Sequence, residues 1–184
     1  MFKRFWKPFV LIFIIGLLSV TWYTKYAEME RLESLPVGTE VGERAPEFTG
    51  TTVDGETVSL SDYRGRIVLV NDFATWCGPC IFETPHLVDV YNKHMNDVVV
   101  IGLNLGEQDV DVAAYQVQFS ISYPLLLDPD GRLTETYKPL GLPTSWFIDE
   151  DGVIRFVYTG PMTIEMIEEI LEAIRDGREP DLFS

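Results

Sequence analysis

The sequence is poor in the side chains that bind metal ions. It contains only two cysteines and two histidines in 184 residues. A structural zinc site takes four ligands. Both histidines, His86 and His94, fall on the helix predicted to follow the cysteines, and a single helix does not readily bring them to the Cys77–Gly78 turn. We therefore expect no metal site.

Basic residues are also scarce. Lys and Arg together number 14 against 29 Asp and Glu, which gives a net charge of −15. Binding of nucleic acid needs a basic face, so nucleic acid is not expected as a partner. Plain solubility, adaptation to a salty medium, or an electrostatic preference for basic substrates would each account for the acidic balance.

One long uncharged run, PFVLIFIIGLLSVTWY, occupies residues 8–23. As a helix it spans roughly 24 Å, and flanking Trp and Lys side chains can extend it towards a hydrocarbon core of about 30 Å. A basic tail, residues 1–7, precedes it and acidic residues follow, which predicts a cytoplasmic N-terminus and an exported remainder. No small-x-small cleavage site follows, so the pattern favours a single-pass anchor in the cell membrane over a signal peptide.

The rest of the chain is predicted to form a polar stalk over 24–40, a folded domain over 41–178 and a short tail over 179–184. Asp54-Gly55 is a strong hairpin signal. The runs IVLVNDF and VVVIGLN are typical of buried strands, and amphipathic helices follow them. A final hairpin, TSWFID–VIRFVY, precedes the last helix. This order predicts an α/β fold, a mixed sheet with helices on both faces.

Cys77 and Cys80 lie three residues apart, between a predicted strand and a predicted helix. C-x-x-C in this context is typical of redox chemistry. At a helix N-terminus, free N–H groups and the helix dipole favour the Cys77 thiolate, which is the species that attacks disulfides. Pro79 is tolerated in the first turn. A purely structural disulfide is the competing interpretation, although so small a loop would stabilise the fold little.

Several motifs together carry a family resemblance: APEF, LSDYRGRIVLVN, ATWCGPC, Glu83–Pro85, GLPTSWFID and TGPMT. Over about residues 41–176 the sequence resembles the TlpA/ResA-like branch of the thioredoxin superfamily, which are membrane-anchored, extracytoplasmic thiol–disulfide oxidoreductases. The resemblance implies a thioredoxin fold with a β-hairpin added before the first central strand. It also implies that Cys77 attacks, that Cys80 resolves, and that no cofactor is needed because the electrons stay in sulfur.

The resemblance further implies supporting residues around the cysteines. Leu142-Pro143 matches the family's cis-proline loop, in which Pro143 packs beside the cysteines and Leu142 offers backbone groups to an extended substrate. Pro85 matches the proline that kinks the active-site helix. The remaining supporting residues belong to the motif itself: Trp76, Gly78 and Pro79.

Two carboxyl groups near the motif leave alternatives open. If Glu83 is partly buried, it can take the proton as Cys80 becomes a nucleophile; otherwise it is a solvated charge. Asp72 stands where the family usually has an aromatic residue, and Asn71 stands where thioredoxins have a buried acid. Strand alternation places Asn71 and Asp72 on opposite faces. Asp72 therefore adjusts the thiols, pairs with a basic residue, or lies at a thinly covered edge.

These observations predict a tethered reductase of exported protein disulfides. By resemblance the substrate is a protein such as an apocytochrome c, and a membrane thiol carrier restores the dithiol. A thiol oxidase or isomerase, and a non-catalytic tethered binding module with a buried, inert Cys77, are the alternatives. A peroxidase is disfavoured, because peroxiredoxins carry Thr three residues and Pro seven residues before the reactive cysteine, where this chain has Ala74 and Val70.

Overall fold

The computed structural model describes residues 6–182. Lys3 and Arg4 of the predicted basic tail, and the last two residues of the predicted C-terminal tail, lie outside this range. The chain divides into two compact units, one ending at Pro36 and one beginning at Val37.

The first unit is a single helix, α1 (Trp6–Ser34). It contains the predicted anchor, residues 8–23, and continues through the charged segment after it, because no proline or glycine interrupts residues 17–35. None of the helices in residues 6–182 combines the length and the apolar character required to cross a membrane. Large apolar side chains of α1 are nevertheless exposed: Val10, Ile12, Phe13, Ile14, Ile15, Leu17, Leu18, Val20, Trp22 and Tyr23.

The second unit is built on a mixed sheet, which in the described residues has seven strands in the order β2-β1-β5-β4-β3-β6-β7. Strands β3, β4 and β5 run parallel, and the other pairs are antiparallel. The hairpin at Asp54-Gly55 joins β1 to β2 at one edge, which confirms the thioredoxin fold with an added N-terminal hairpin. The strands are β1 (Thr49–Thr52), β2 (Thr57–Ser59), β3 (Ile67–Phe73), β4 (Val98–Asn104), β5 (Leu125–Leu127), β6 (Thr144–Ile148) and β7 (Ile154–Thr159).

Helices cover both faces of the sheet, as predicted. The helix after the cysteines begins at Gly78, because Cys77 is extended and acts as the N-cap, with its sulfur accepting the Cys80 N–H. It ends at Lys93. The helices of the second unit are α2 (Gly78–Lys93), α3 (Asp109–Phe119), α4 (Arg132–Tyr137) and α5 (Ile164–Asp176), with a short 3-10 helix at Leu60–Tyr63.

The two faces of the sheet carry separate cores. Alternate residues of β3 and β4 pack with α2, α3 and α5 on the first face, together with both cysteines. The other alternate set packs on the second face with Tyr137 of α4 and Trp146 of β6. Gly102 of β4 lies beside Phe73, and a Cβ atom there would come within 2.9 Å of the Phe73 ring. The absence of a side chain at Gly102 therefore leaves room for the Phe73 ring at the end of β3, directly before the cysteine loop.

Candidate active site

Cys77 and Cys80 form a disulfide between the end of β3 and the start of α2. Their Cα atoms are 5.2 Å apart. The Cys77 N–H donates to the Ala74 carbonyl at 3.1 Å, which closes the turn that presents the motif. The Cys80 N–H donates to Cys77 Sγ at 3.3 Å. An N–H of the first helical turn thus already donates to the sulfur that would become the thiolate after reduction.

The two cysteines differ little in exposure. Cys77 is 6% exposed and Cys80 is 2% exposed, whereas the neighbouring Trp76 is 69% exposed. Cys77 is the more accessible of the pair, yet both are buried. Taken alone, the low accessibility of Cys77 would favour a non-catalytic binding module. The surrounding groups and the related proteins decide between this module and a thiol–disulfide oxidoreductase.

Glu83 is buried on the first face, one turn of α2 beyond Cys80. It is 1% exposed. Its carboxylate accepts hydrogen bonds from Asn71 Nδ2 at 3.1 Å and from the Met162 N–H at 3.3 Å. Burial outweighs these two donors and raises the pKa of Glu83 to about 7. Glu83 is therefore buried, as the role of proton acceptor for Cys80 requires, and it can exchange a proton near neutral pH.

The carbonyl of Cys80 has side-chain partners of its own. Thr84 Oγ1 donates to it at 2.8 Å. Tyr115 Oη of α3 donates to Thr84 Oγ1 and lies 3.4 Å from the same carbonyl oxygen. Two side chains therefore fix this turn of α2, and with it the position of the second cysteine, although no sequence motif singled out Tyr115.

The peptide bond between Leu142 and Pro143 is cis, as the resemblance implied. Pro143 is buried, and its carbonyl accepts the Gly160 N–H at 2.9 Å. Leu142 packs against the core that contains both cysteines. Within residues 6–182 the backbone N–H and carbonyl of Leu142 form no hydrogen bond. Pro85 lies inside α2 and does not end it.

Glu107 is a residue that sequence reasoning missed. It follows β4, and its carboxylate accepts the Thr75 N–H at 2.7 Å and the Thr75 hydroxyl at 2.5 Å. Asn104 Nδ2 donates to the same carboxylate at 2.6 Å, and the Glu107 N–H donates back to Asn104 Oδ1. Glu107 thus ties the loop after β4 to the loop before Cys77. The only sequence signal is the reciprocal Asn-x-x-Glu spacing, which resembles a capping box.

Asp72 is buried on the second face of the sheet. It is 1% exposed, and neither of its carboxyl oxygens has a hydrogen-bond partner in the described part of the chain. Two alternatives are therefore wrong, since Asp72 neither pairs with a basic residue nor lies at a thinly covered edge. Burial, assisted by the charge of Asp128, raises the pKa of Asp72 to about 7.

Both histidines have roles away from the cysteines. His86 packs edge-on against Phe82, with ring centroids 5.4 Å apart. His94 lies just past the far end of α2 and bonds to Glu168 at 3.0 Å. Since His94 is separated from Cys77 by the whole length of α2, the two cannot share a metal ion.

This sheet, with a C-x-x-C disulfide at a helix N-terminus and a cis-proline directly before β6, defines a thioredoxin-like protein. The AhpC/TSA family model matches residues 41–157, and the chain belongs to this family. It is 32% identical to the thiol-disulfide oxidoreductase ResA of Bacillus thuringiensis subsp. konkukian over 94% of this chain and 96% of the relative. It is 30% identical to the thioredoxin-like protein YneN of Bacillus subtilis, over 94% of this chain and 99% of that protein.

A solved structure supports the same assignment. The crystal structure of a putative thiol:disulfide interchange protein DsbE from Chlorobium tepidum superposes with a TM-score of 0.67 at 28% identity, covering 76% of this chain and 98% of that one. The chain is a ResA-like thiol–disulfide oxidoreductase with Cys77 and Cys80 as its dithiol. This decides against the non-catalytic module, despite the low exposure of Cys77.

Proposed function

We propose that the protein reduces disulfides of exported proteins, with Cys77 as the attacking thiol and Cys80 as the resolving thiol. The observation that carries the proposal is the disulfide at the N-terminus of α2 with the buried carboxyl of Glu83 one turn further on. The first feature favours a thiolate at Cys77, and the second offers a proton acceptor next to the turn that holds Cys80.

The exchange takes two steps. The Cys77 thiolate attacks one sulfur of the substrate disulfide, a mixed disulfide forms, and the other substrate sulfur leaves as a thiolate. Cys80 then loses its proton, with Glu83 as acceptor, and attacks Cys77 Sγ. The second substrate thiol leaves, so the substrate gains two electrons and the protein returns to the disulfide form.

Trapping experiments test these roles. Cys80→Ser should accumulate a mixed disulfide with substrate, whereas Cys77→Ser should not, and Cys77 should be alkylated faster than Cys80 in the reduced protein. Non-reducing electrophoresis and mass spectrometry measure both. Trapping by Cys77→Ser, or equal alkylation rates, would reverse or remove the assignment.

The cis-proline loop supports a polypeptide substrate. The free N–H and carbonyl of Leu142 can pair with an extended chain, which adds backbone hydrogen bonds beside the disulfide. An apocytochrome c, whose haem-binding cysteines must be reduced, fits the family resemblance, and a membrane thiol carrier would return the two electrons. A reduction potential above that of the glutathione pool would favour the alternative direction, thiol oxidation or isomerisation.

The proposal also places the catalytic unit outside the cytoplasm, tethered through residues 8–23. The uncharged run, the basic residues before it and the exposed apolar side chains of α1 support this topology, since lipid would cover that surface. Alkaline extraction of membranes and mass spectrometry of the purified chain test it. Loss of the protein to the soluble fraction, or a mature chain beginning between about residues 20 and 30, would contradict an uncleaved anchor.

A further inference from the structure

The surface beside the disulfide differs in character from the rest of the chain. Although the chain carries 29 acidic residues, the segment 73–85 contains a single charged side chain, Glu83, and that one is buried. Every exposed residue of this segment is uncharged. They are Trp76, Gly78, Pro79, Ile81, Phe82 and Pro85.

Three of these residues form what we call the apolar stripe: Ile81, Phe82 and Pro85. With Gly78 they follow the i, i+3, i+4, i+7 spacing that places side chains on one side of a helix. Ile81 is 39% exposed and Phe82 is 55% exposed. The stripe therefore starts at the end of α2 that holds the disulfide and runs along the helix surface, and the Phe82 ring is supported by its contact with His86.

We propose that the apolar stripe binds a bulky apolar side chain of the polypeptide substrate, close in sequence to the attacked cysteine. The inference rests on the proposed function and adds a substrate preference to it. Exchange requires the substrate to bring a sulfur to Cys77, so a chain that reaches this sulfur lies next to the stripe. The occupant of the stripe is therefore the polypeptide that carries the attacked disulfide.

Helix geometry sets the spacing of the preferred residue. Phe82 lies five residues beyond Cys77, which is about 7.5 Å along the axis of α2. An extended chain advances about 3.3 Å per residue, so a side chain about two residues from the attacked cysteine reaches Phe82. A charged side chain at that place would lose hydration and find no exposed partner charge in segment 73–85. The stripe therefore selects against both Lys and Glu at this position.

Three matched disulfide peptides test the preference. They differ only in Phe, Lys or Glu two residues from the cysteine, and a small aromatic disulfide, 5,5′-dithiobis(2-nitrobenzoic acid), serves as the reference substrate. For the full-length protein with its dithiol reduced beforehand, we expect the second-order rate constant for reduction of the Phe peptide to exceed that for the other two by about tenfold. The double variant Ile81→Ser/Phe82→Ser should bring the ratio of Phe to Lys peptide turnover close to one.

Val117 provides a matched control, because it is an apolar residue on α3 that is 79% exposed. Val117→Ser should leave the peptide ratio as in the unsubstituted protein. Equal turnover of the three peptides by the unsubstituted protein would overturn the inference, as would equal loss of preference in Val117→Ser. If the double variant instead dissociates a dimer, with the peptide ratio unchanged, the stripe belongs to a second copy and the inference fails.

The same assay separates this inference from the proposed function. A reduced protein that transfers no electrons to the small disulfide is not a disulfide reductase, whatever its peptide preference. A protein that reduces the small disulfide and all three peptides at equal rates is a reductase without the preference.

Discussion

The two faces of the central sheet treat a buried carboxyl group in different ways. Glu83, on the first face, is 1% exposed and accepts hydrogen bonds from Asn71 and the Met162 N–H. Asp72, on the second face, is 1% exposed and accepts none among the described residues. Both have a pKa of about 7. The two carboxyl groups thus share the same exposure and pKa but differ in their surroundings, since Glu83 has hydrogen-bond donors and Asp72 has none among the described residues.

The partners explain the difference. The pKa of Asp72 rises from 3.8, because burial and the charge of Asp128 both penalise its ionised form. The pKa of Glu83 rises from 4.5 by burial, while its two donors act in the opposite direction. Asp128 donates no hydrogen bond to Asp72, since the carboxyl oxygens of Asp128 accept the N–H groups of Leu133 and Thr134 at the start of α4. The first face therefore supplies hydrogen-bond donors to its buried carboxyl group, whereas the second supplies none among the described residues.

Removing the carboxyl group of Asp72 should give the largest effect. Between pH 3.8 and about 7 the native protein keeps this proton and the unfolded chain does not, so stability falls as pH rises through this window. The two pKa values correspond to a penalty on the order of 4 kcal/mol above pH 7. Asp72→Leu, which is close in volume, should raise the free energy of unfolding by about this amount at pH 8 and by much less at pH 4.

Urea denaturation at both pH values measures this gain. Asp72→Asn is the matched variant, because it keeps the shape and removes only the ionisation, and it should flatten the same part of the stability profile. An equal gain at pH 4 and pH 8 would show that folding does not raise the pKa of Asp72.

The contrast between the two faces could be predicted only in part from the sequence. Continuous apolar runs placed β3 and β4, Asp54-Gly55 placed the hairpin, and strand alternation put Asn71 and Asp72 on opposite faces. Such signals are local. The partners of Glu83 are not, since the Met162 N–H comes from 79 residues away and Glu107 reaches Thr75 across 32 residues. Whether Asp72 finds a donor likewise depends on how α4 packs, which its own neighbours in sequence do not specify.

Glu83→Gln tests whether the buried carboxyl group of the first face accepts the proton of Cys80. If Glu83 accepts the proton of Cys80, its loss should slow resolution of the mixed disulfide about 100-fold, at the low end of general-base contributions, or about 2.7 kcal/mol. The pH dependence of the step near pH 7 should disappear with it. Rapid-mixing measurements of mixed-disulfide decay from pH 5 to 9 follow both. A variant that keeps the full pH profile would return Glu83 to a structural role.

Asn71→Asp tests whether the donor at this position sets the pKa of Glu83. The variant exchanges a donor 3.1 Å from Glu83 Oε2 for a second carboxyl group. Two such groups cannot both ionise easily, so the second ionisation of the pair should move above pH 7, and the alkaline limb of the profile should shift by about one pH unit. Asn71→Ala is the control, because it removes the donor without adding charge and should shift the limb less. Identical profiles for the two variants would mean that the new carboxyl group does not interact with Glu83.

The smallest expected effect is that of Asp72, on the second face, on the reduction potential of the cysteines. Asp72 shares β3 with Asn71, but its side chain points to the core that contains Tyr137 and Trp146, whereas both cysteines belong to the first core. If Asp72 is only a tolerated charge, Asp72→Asn should change the reduction potential of the Cys77–Cys80 pair by no more than about 10 mV, because 30 mV already corresponds to 1.4 kcal/mol. Redox titration at pH 8, where Asp72 is ionised, gives the strictest comparison, and Asp89→Asn on the exposed side of α2 provides the matched control. A shift of 30 mV in Asp72→Asn but not in Asp89→Asn would show that the charge acts through the sheet on the thiols. The two faces would then work as one site, and the departure from the family's aromatic residue would be an adjustment of the potential.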